Sequence, residues 1–192
     1  MKLTQQHFVS FFKDTFIVVI GVLIAVFINN FNEQKTNQQY IKQTLHSIQQ
    51  EIVQNKAEVD TVMKKHFVLL DSIQTSIKNE EESISQLIGR LGGIQSASIK
   101  NVGLRFFIAN KAELVDYKLI AQLLEIETST ELLDKKTDKL IDFTFENIEQ
   151  KDEITKLKLR AYLSNMIDSE FALLELYGEY LEQDKMDKVH KN

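Results

Sequence analysis

The stretch FIVVIGVLIAVFINNFNEQK, Phe16 to Lys35, decides how the rest of the chain is read. Its apolar part, Thr15 to Ile28, carries no charge and ends in Asn29 and Asn30, then Phe31 and Asn32. Read as a helix at about 1.5 Å per residue, that run is about 21 Å long, short of the ~20 residues of a bilayer span. The flanks extend it. Phe8, Val9, Phe11 and Phe12 lie before it and Phe31 after it, so Phe8 to Phe31 covers roughly 36 Å, hydrocarbon plus part of each interface. Lys13 is placed to snorkel, and Asn30 and Phe31 to meet the head-group zone. A cleaved secretory signal would end in a small-x-small site. Here Ala25 is followed two places later by Phe27, then by INNFNE. The expectation is an uncleaved membrane anchor.

On a helical wheel Ser10, Asp14, Gly21, Ala25, Asn29 and Asn32 fall on one narrow stripe, opposite Phe16, Val19, Leu23, Val26 and Phe27. Gly21-x-x-x-Ala25 is a small-xxx-small pair, which lets a second helix approach closely, and Asn29 extends the row with a group able to hydrogen-bond across it. Two readings stand side by side: the stripe faces protein, or one Gly and one Ala happen to lie on a lipid-facing helix. Orientation is weakly coded. Lys2, Lys13 and the N-terminus precede the span, and Lys35 and Lys42 follow it. The positive-inside rule leans towards a cytoplasmic N-terminus and a C-terminal domain outside the cytoplasm.

The whole chain favours helix. Its 192 residues contain no Pro, Cys or Trp and only 6 Gly, whereas average usage is about 5% Pro. Proline breaks helices by removing an N–H and clashing with the preceding turn. Without cysteine there is no disulfide, thiolate metal site or thiol nucleophile. The formal net charge of −5 is the wrong sign for a nucleic-acid-binding surface, so no nucleic-acid partner is expected.

After the anchor, Ile41, Leu45, Ile48, Ile52, Val59, Met63, Phe67, Leu70, Ile73, Ile77, Ile84 and Leu87 recur mostly at steps of three, four or seven. This predicts a coiled-coil-like helix that needs a partner for its apolar seam. Asn55 falls where the spacing calls for an apolar residue. The stretch GRLGGIQSASIKNVG, Gly89 to Gly103, gathers four of the six glycines and reads as a turn. Three helical segments follow. Thr128 and Glu131 have capping-box spacing. The last segment carries a seam at Leu159, Leu163, Met166, Phe171, Leu174, Tyr177 and Leu181. The expected organisation is a membrane anchor over 1–32, a long amphipathic helix over 33–88, a Gly/Ser-rich turn over 89–103 and a helical bundle region over 104–192. The fold class is all-α: a transmembrane helix continuing into a long coiled-coil-like helix, then a returning bundle or antiparallel helical hairpin.

Catalytic chemistry finds little support. His7, His46, His66 and His190 are far apart and sit in no ligand spacing; His66 reads as a partly exposed helix residue. Asp134, Asp138 and Asp142 share one helix face, but Lys135, Lys136 and Lys139 make that a solvated, balanced face. Tyr162, Phe171, Tyr177 and Tyr180 fall at helical spacing and read as core. GRLGG lacks the Lys and the strand-to-helix context of a phosphate loop. No cofactor, metal or catalytic residue is expected.

The opening stretch resembles the N-terminal signature of a family of uncharacterised bacterial single-anchor membrane proteins, a domain-of-unknown-function family. Ile17, Ile20, Gly21, Ile24 and Ala25 match its I-x-x-G-x-x-I-A anchor, and Asn29, Asn30, Asn32 and Glu33 match its N-N-W-N-E segment, with Phe31 in place of Trp. The resemblance covers roughly the first fifth of the chain. It implies a bacterial inner-membrane location and no catalytic residues. The sequence therefore leads to a non-enzymatic envelope protein that self-associates or serves as a structural, scaffolding or accessory subunit of a membrane complex, its partners being the bilayer and either its own copies or other membrane-protein subunits. The competing reading is a membrane-anchored sensor with a ligand-binding helical domain. A buried polar cluster would favour the sensor, a dry bundle with an exposed apolar patch the scaffold.

Overall fold

A computed structural model describes residues 3–189, with side chains described from Lys13 to Gln183 except at 14, 111 and 113. The side chains of Phe8, Val9, Ser10, Phe11, Phe12, Asp14 and His7, and residues Lys2 and His190, lie outside the described residues. Helix α1 spans Leu3–Ser76, α2 Ile84–Arg90, α3 Val102–Lys111, α4 Tyr117–Glu146 and α5 Glu153–Val189, with a single 3₁₀ turn at Ala112–Leu114 before α4. No strand occurs among the described residues. By contact the chain divides into two units, Met1–Leu45 and His46–Asn192.

In the first unit, residues 15–35 are helical and exposed throughout. By length and composition this stretch of α1 is able to cross a membrane.

The second unit is a three-helix bundle built from residues 46–76 of α1 with α4 and α5. Each helix carries a heptad seam. On α1 the buried positions are Ile48, Ile52, Asn55, Val59, Val62, His66, Leu69 and Ile73. On α4 they are Ile120, Leu123, Ile126, Thr130, Leu133, Thr137, Leu140 and Thr144. On α5 they are Lys156, Leu159, Leu163, Met166, Glu170, Leu173, Tyr177 and Tyr180, with Ile167 beside them. The three seam threonines of α4 satisfy their own hydroxyls, donating to the carbonyls of Ile126, Leu133 and Leu140 one turn back.

Helices α4 and α5 form an antiparallel hairpin about a short turn, tied by Lys136 Nζ donating to Asn165 O at 2.9 Å. Contacts of His66 with Glu170 and of Ser76 with Lys156 make α5 antiparallel to α1 as well. So α1 and α4 run parallel, and the chain between them must travel back the length of the bundle. That return is α2, an extended segment over 93–101, and α3. Along 95–101 exposure alternates residue by residue, with Gln95, Ala97, Ile99 and Asn101 turned inward and Ser96, Ser98 and Lys100 outward, the period of an extended chain. Gly92 and Gly93 open this segment with φ of 82° and 89°, a region costly for residues with a Cβ.

Several expectations need correction. The long helix does not reach residue 88. It stops at Ser76, because polar groups rather than glycine end it: Ser76 Oγ donates to Glu82 at 2.6 Å, Asn79 N donates to Ser76 O, and Glu81 N donates to Asn79 Oδ1. The capping box lies at Ser83 and Gln86, opening α2, whereas Thr128 sits inside α4 with its hydroxyl bonded to Leu124 O. Asn55, an interruption of the seam by composition, is part of it at 2% exposure. Met63, Phe67 and Leu70 give way to Val62, His66 and Leu69. Phe171 and Leu174 give way to Glu170 and Leu173, and Phe171 is 55% exposed. Tyr162 is likewise half-exposed, stacked near Phe143 with ring centroids 4.9 Å apart.

Candidate functional site

Three places in the molecule concentrate chemistry. The first is the outer face of the N-terminal helix. Gly21, Ala25 and Asn29 are exposed on one stripe, and a Cβ built on Gly21 would meet nothing within 4 Å. Lys13, Asn30 and Phe31 are exposed too.

The second place is a buried polar layer across the bundle. Asn55 Oδ1 accepts from Lys100 N at 2.9 Å, and its amide nitrogen donates to Lys100 O at 2.9 Å and to Asn101 Oδ1 at 3.1 Å. Asn101 Nδ2 donates in turn to Thr130 Oγ1 at 3.1 Å and to Glu127 at 3.2 Å, and Arg105 pairs with Glu127. Glu51 accepts from the Gly103 N–H at 3.0 Å, setting a carboxylate at the N-terminus of α3, where the helix dipole favours negative charge. Tyr177 closes the layer. Its hydroxyl is fully buried beside the Thr130 and Asn55 side chains, with neither at full hydrogen-bonding geometry. Burial pushes its phenol up to about 12, with nearby Thr130 and Asn55 pulling the other way.

The third place is His66. It is 2% exposed, not partly exposed as its neighbours Lys65 and Phe67 suggest, because Glu170 meets it from α5. Nδ1 lies 2.9 and 3.1 Å from the two Glu170 oxygens, and Nε2 lies 2.8 Å from Gln95 O. Lys65 Nζ donates to Gln95 Oε1 at 2.6 Å. Beside His66 opens a cavity of about 270 Å³, walled by Val68, Leu69, Leu91 and Gly93. Sequence reading missed this pair because its members lie far apart in the chain; the one local sign is that each sits on a heptad position.

At the far end, Lys156 is fully buried and its ammonium donates to Ser76 O at 3.0 Å and to Asn79 O, the last turn of α1, where a cation is favoured. Asp134, Asp138 and Asp142 are exposed. Partial burial and then the neighbouring Asp138 push the Asp134 carboxyl above its ordinary value, with Arg105 opposing. Among the described residues no three His, Asp or Glu side chains gather as a metal would need.

Compared with protein-family models, curated proteins and solved structures, the chain matches none of them.

Proposed function

We propose that this is a single-pass, membrane-anchored helical protein that serves as a structural or accessory subunit of an envelope membrane complex and associates with its own copies or with other membrane subunits. The observation that carries the reading is the N-terminal helix. Phe16, Val18, Leu23, Phe27 and Phe31 each expose more than half of their surface, which water does not tolerate over so long a stretch and lipid does. We place the N-terminus in the cytoplasm and the bundle in the periplasm of a bacterial inner membrane, on the charge bias and on the anchor signature of Gly21, Ala25, Asn29 and Asn30.

The bundle interior is not dry: the buried polar layer around Asn55 and the His66–Glu170 pair are the kind of cluster that favours the sensor reading, although the amides of that layer are already partnered by Lys100, Asn101 and Thr130. The outer surface favours an accessory subunit: Val102 and Phe106, one turn apart on α3, are 72% and 54% exposed, a pair placed to meet a partner. The test is extraction of the native protein in mild detergent, with native mass and co-purified proteins identified. An oligomer or a defined complex supports the reading. A lone monomer overturns it.

A further inference from the structure

We propose that residues 93–101 are a strap latched onto α1 by the proton shared between His66 and Glu170, and that loss of this proton frees the His66 end of the strap.

The strap follows α1 in register. Lys100 is held at Asn55 and Gln95 at His66. Five extended residues cover about 16 Å, and the eleven helical residues from 55 to 66 cover about the same distance. The two clasps differ in kind. Asn55 grips the backbone of Lys100 through both ends of its amide, a neutral pair that no pH change in the ordinary range alters. His66 grips the Gln95 carbonyl through an Nε2–H while Nδ1 faces a carboxylate.

A carbonyl only accepts, so Nε2 must carry a hydrogen. The contact between Nδ1 and Glu170 is attractive only with a second proton in it, on the ring or on the carboxyl. Take that proton away and one N–H remains for two acceptors. A carboxylate is the stronger acceptor, and Glu170 and His66 are both 2% exposed, whereas Gln95 borders the cavity and its carbonyl contact is only part-buried. The hydrogen therefore passes to Nδ1. Nε2 then turns a lone pair on Gln95 O, and the strap carbonyl loses its donor. Gly92 and Gly93, both at positive φ, sit just beyond as the hinge.

The surroundings leave the pair in charge of its own proton. From α5 comes Glu170. From α1 comes Lys65, engaged with Gln95 Oε1. The strap's one charged residue is Lys100, which is exposed, and the buried face of α4 carries no titratable group. The cavity beside His66 gives the proton a route to solvent and is what the freed strap would widen.

The experiment is hydrogen exchange of the full chain in non-ionic detergent micelles at about pH 6 and about pH 9, corrected for intrinsic exchange. Protection of the Gly93 and Ile99 amides, which flank Gln95 and donate to Ile88 O and Ala97 O, is expected to fall by about tenfold at the higher pH, with the Lys100 and Gly103 amides, held by Asn55 and Glu51, unchanged. In Glu170→Gln the side-chain amide donates to Nδ1 without a shared proton, so the strap stays latched at both values. Equal protection of Gly93 and Ile99 at both pH values in the parent, or the same fall in Glu170→Gln, overturns the proposal. Nitrogen NMR of His66 in the unmodified chain gives a reading that does not depend on the variant folding. Both ring nitrogens, or one together with the carboxyl, hold protons at the lower pH, and Nδ1 alone on the ring at the higher. A ring that keeps its Nε2–H tautomer at the higher pH overturns it.

Discussion

Replacing Lys156 with Met separates the charge of this side chain from its bulk. The methionine keeps a stem of similar length, so packing around the fully buried position is largely preserved. What disappears is an ammonium donating to Ser76 O and Asn79 O. Ser76 O still accepts from Asn79 N at 3.0 Å, so it is not orphaned. Asn79 O loses its donor, and an unmet, partly buried carbonyl costs about 1–2 kcal/mol. The helix terminus loses a compensating cation, about 0.5–1 kcal/mol. Against this stands the recovered cost of burying an ammonium, which makes the sum of two charge-assisted bonds an overestimate. The net expectation is a loss of about 2 kcal/mol, or a Tm lower by roughly 4–8 °C for a chain of this length. Urea unfolding of the full chain in micelles, followed by far-UV circular dichroism, measures it. Amide exchange should rise first in the last turn of α1. A variant within about 0.5 kcal/mol of the parent, or one more stable, would mean that desolvation outweighs the cap, and the account of how α1 ends would be wrong.

Four further outcomes follow from the geometry. Gly21 and Ala25 are both exposed, so in Gly21→Ile with Ala25→Ile stability should hold while native mass in detergent falls; unchanged mass rejects the packing row. Tyr177→Phe removes a buried hydroxyl with no partner at full hydrogen-bonding geometry and should be neutral or stabilising by up to about 1 kcal/mol in the same urea assay. Because the folded Tyr177 phenol is pushed up to about 12 from an ordinary 10.0, the unfolded chain loses that proton first. This contribution to stability is intact below pH 10.0 and declines as pH rises towards 12, and absorbance titration should show one tyrosine ionising last. Asp152 is the mirror case: the Thr155 N–H holds its carboxyl below 3.8, so its contribution is intact above that value and is lost as pH falls through the lowered one. Acid unfolding of Asp152→Ala should lack this step.

Much of the fold is legible in the sequence because it rests on period and punctuation. The absence of Pro predicts long helices, and the glycines at 92 and 93 adopt positive φ where α2 gives way to the extended segment. The seam of α1 from Ile48 to Val59 reads directly. Helix ends were harder. α1 stops at a residue with no breaker signal, because its last carbonyls are claimed by Lys156, distant in sequence. The false cap at Thr128 has the opposite cause: the right spacing inside a helix whose neighbours never release it. As for the anchor residues, the sequence places Gly21, Ala25 and Asn29 on one stripe, and the structure adds that all three are exposed.

The two places where the seam was misread have one cause. On α1 the apolar reading slides from Val62, His66 and Leu69 to Met63, Phe67 and Leu70. On α5 it slides from Glu170 and Leu173 to Phe171 and Leu174. The α5 slip begins at Glu170 itself, and the α1 slip runs across His66, starting one turn earlier at Val62. A reader of either helix alone must reject a His or a Glu as core, since burying either unpartnered is costly. Together they are admissible, because each supplies what the other lacks. The heptad is unbroken on both helices only when both polar residues are counted. A strict 3–4 period is then a stronger guide than residue type. Where an apolar seam shifts by one on two segments of the same chain, the residues skipped on each are candidates to face one another. Applied to Asn55, the same logic finds its partner in the Lys100 backbone and the Asn101 side chain, outside the three bundle helices. The polar seam positions of α1 thus do two jobs: they admit α5 at one level and fix the returning strap at two.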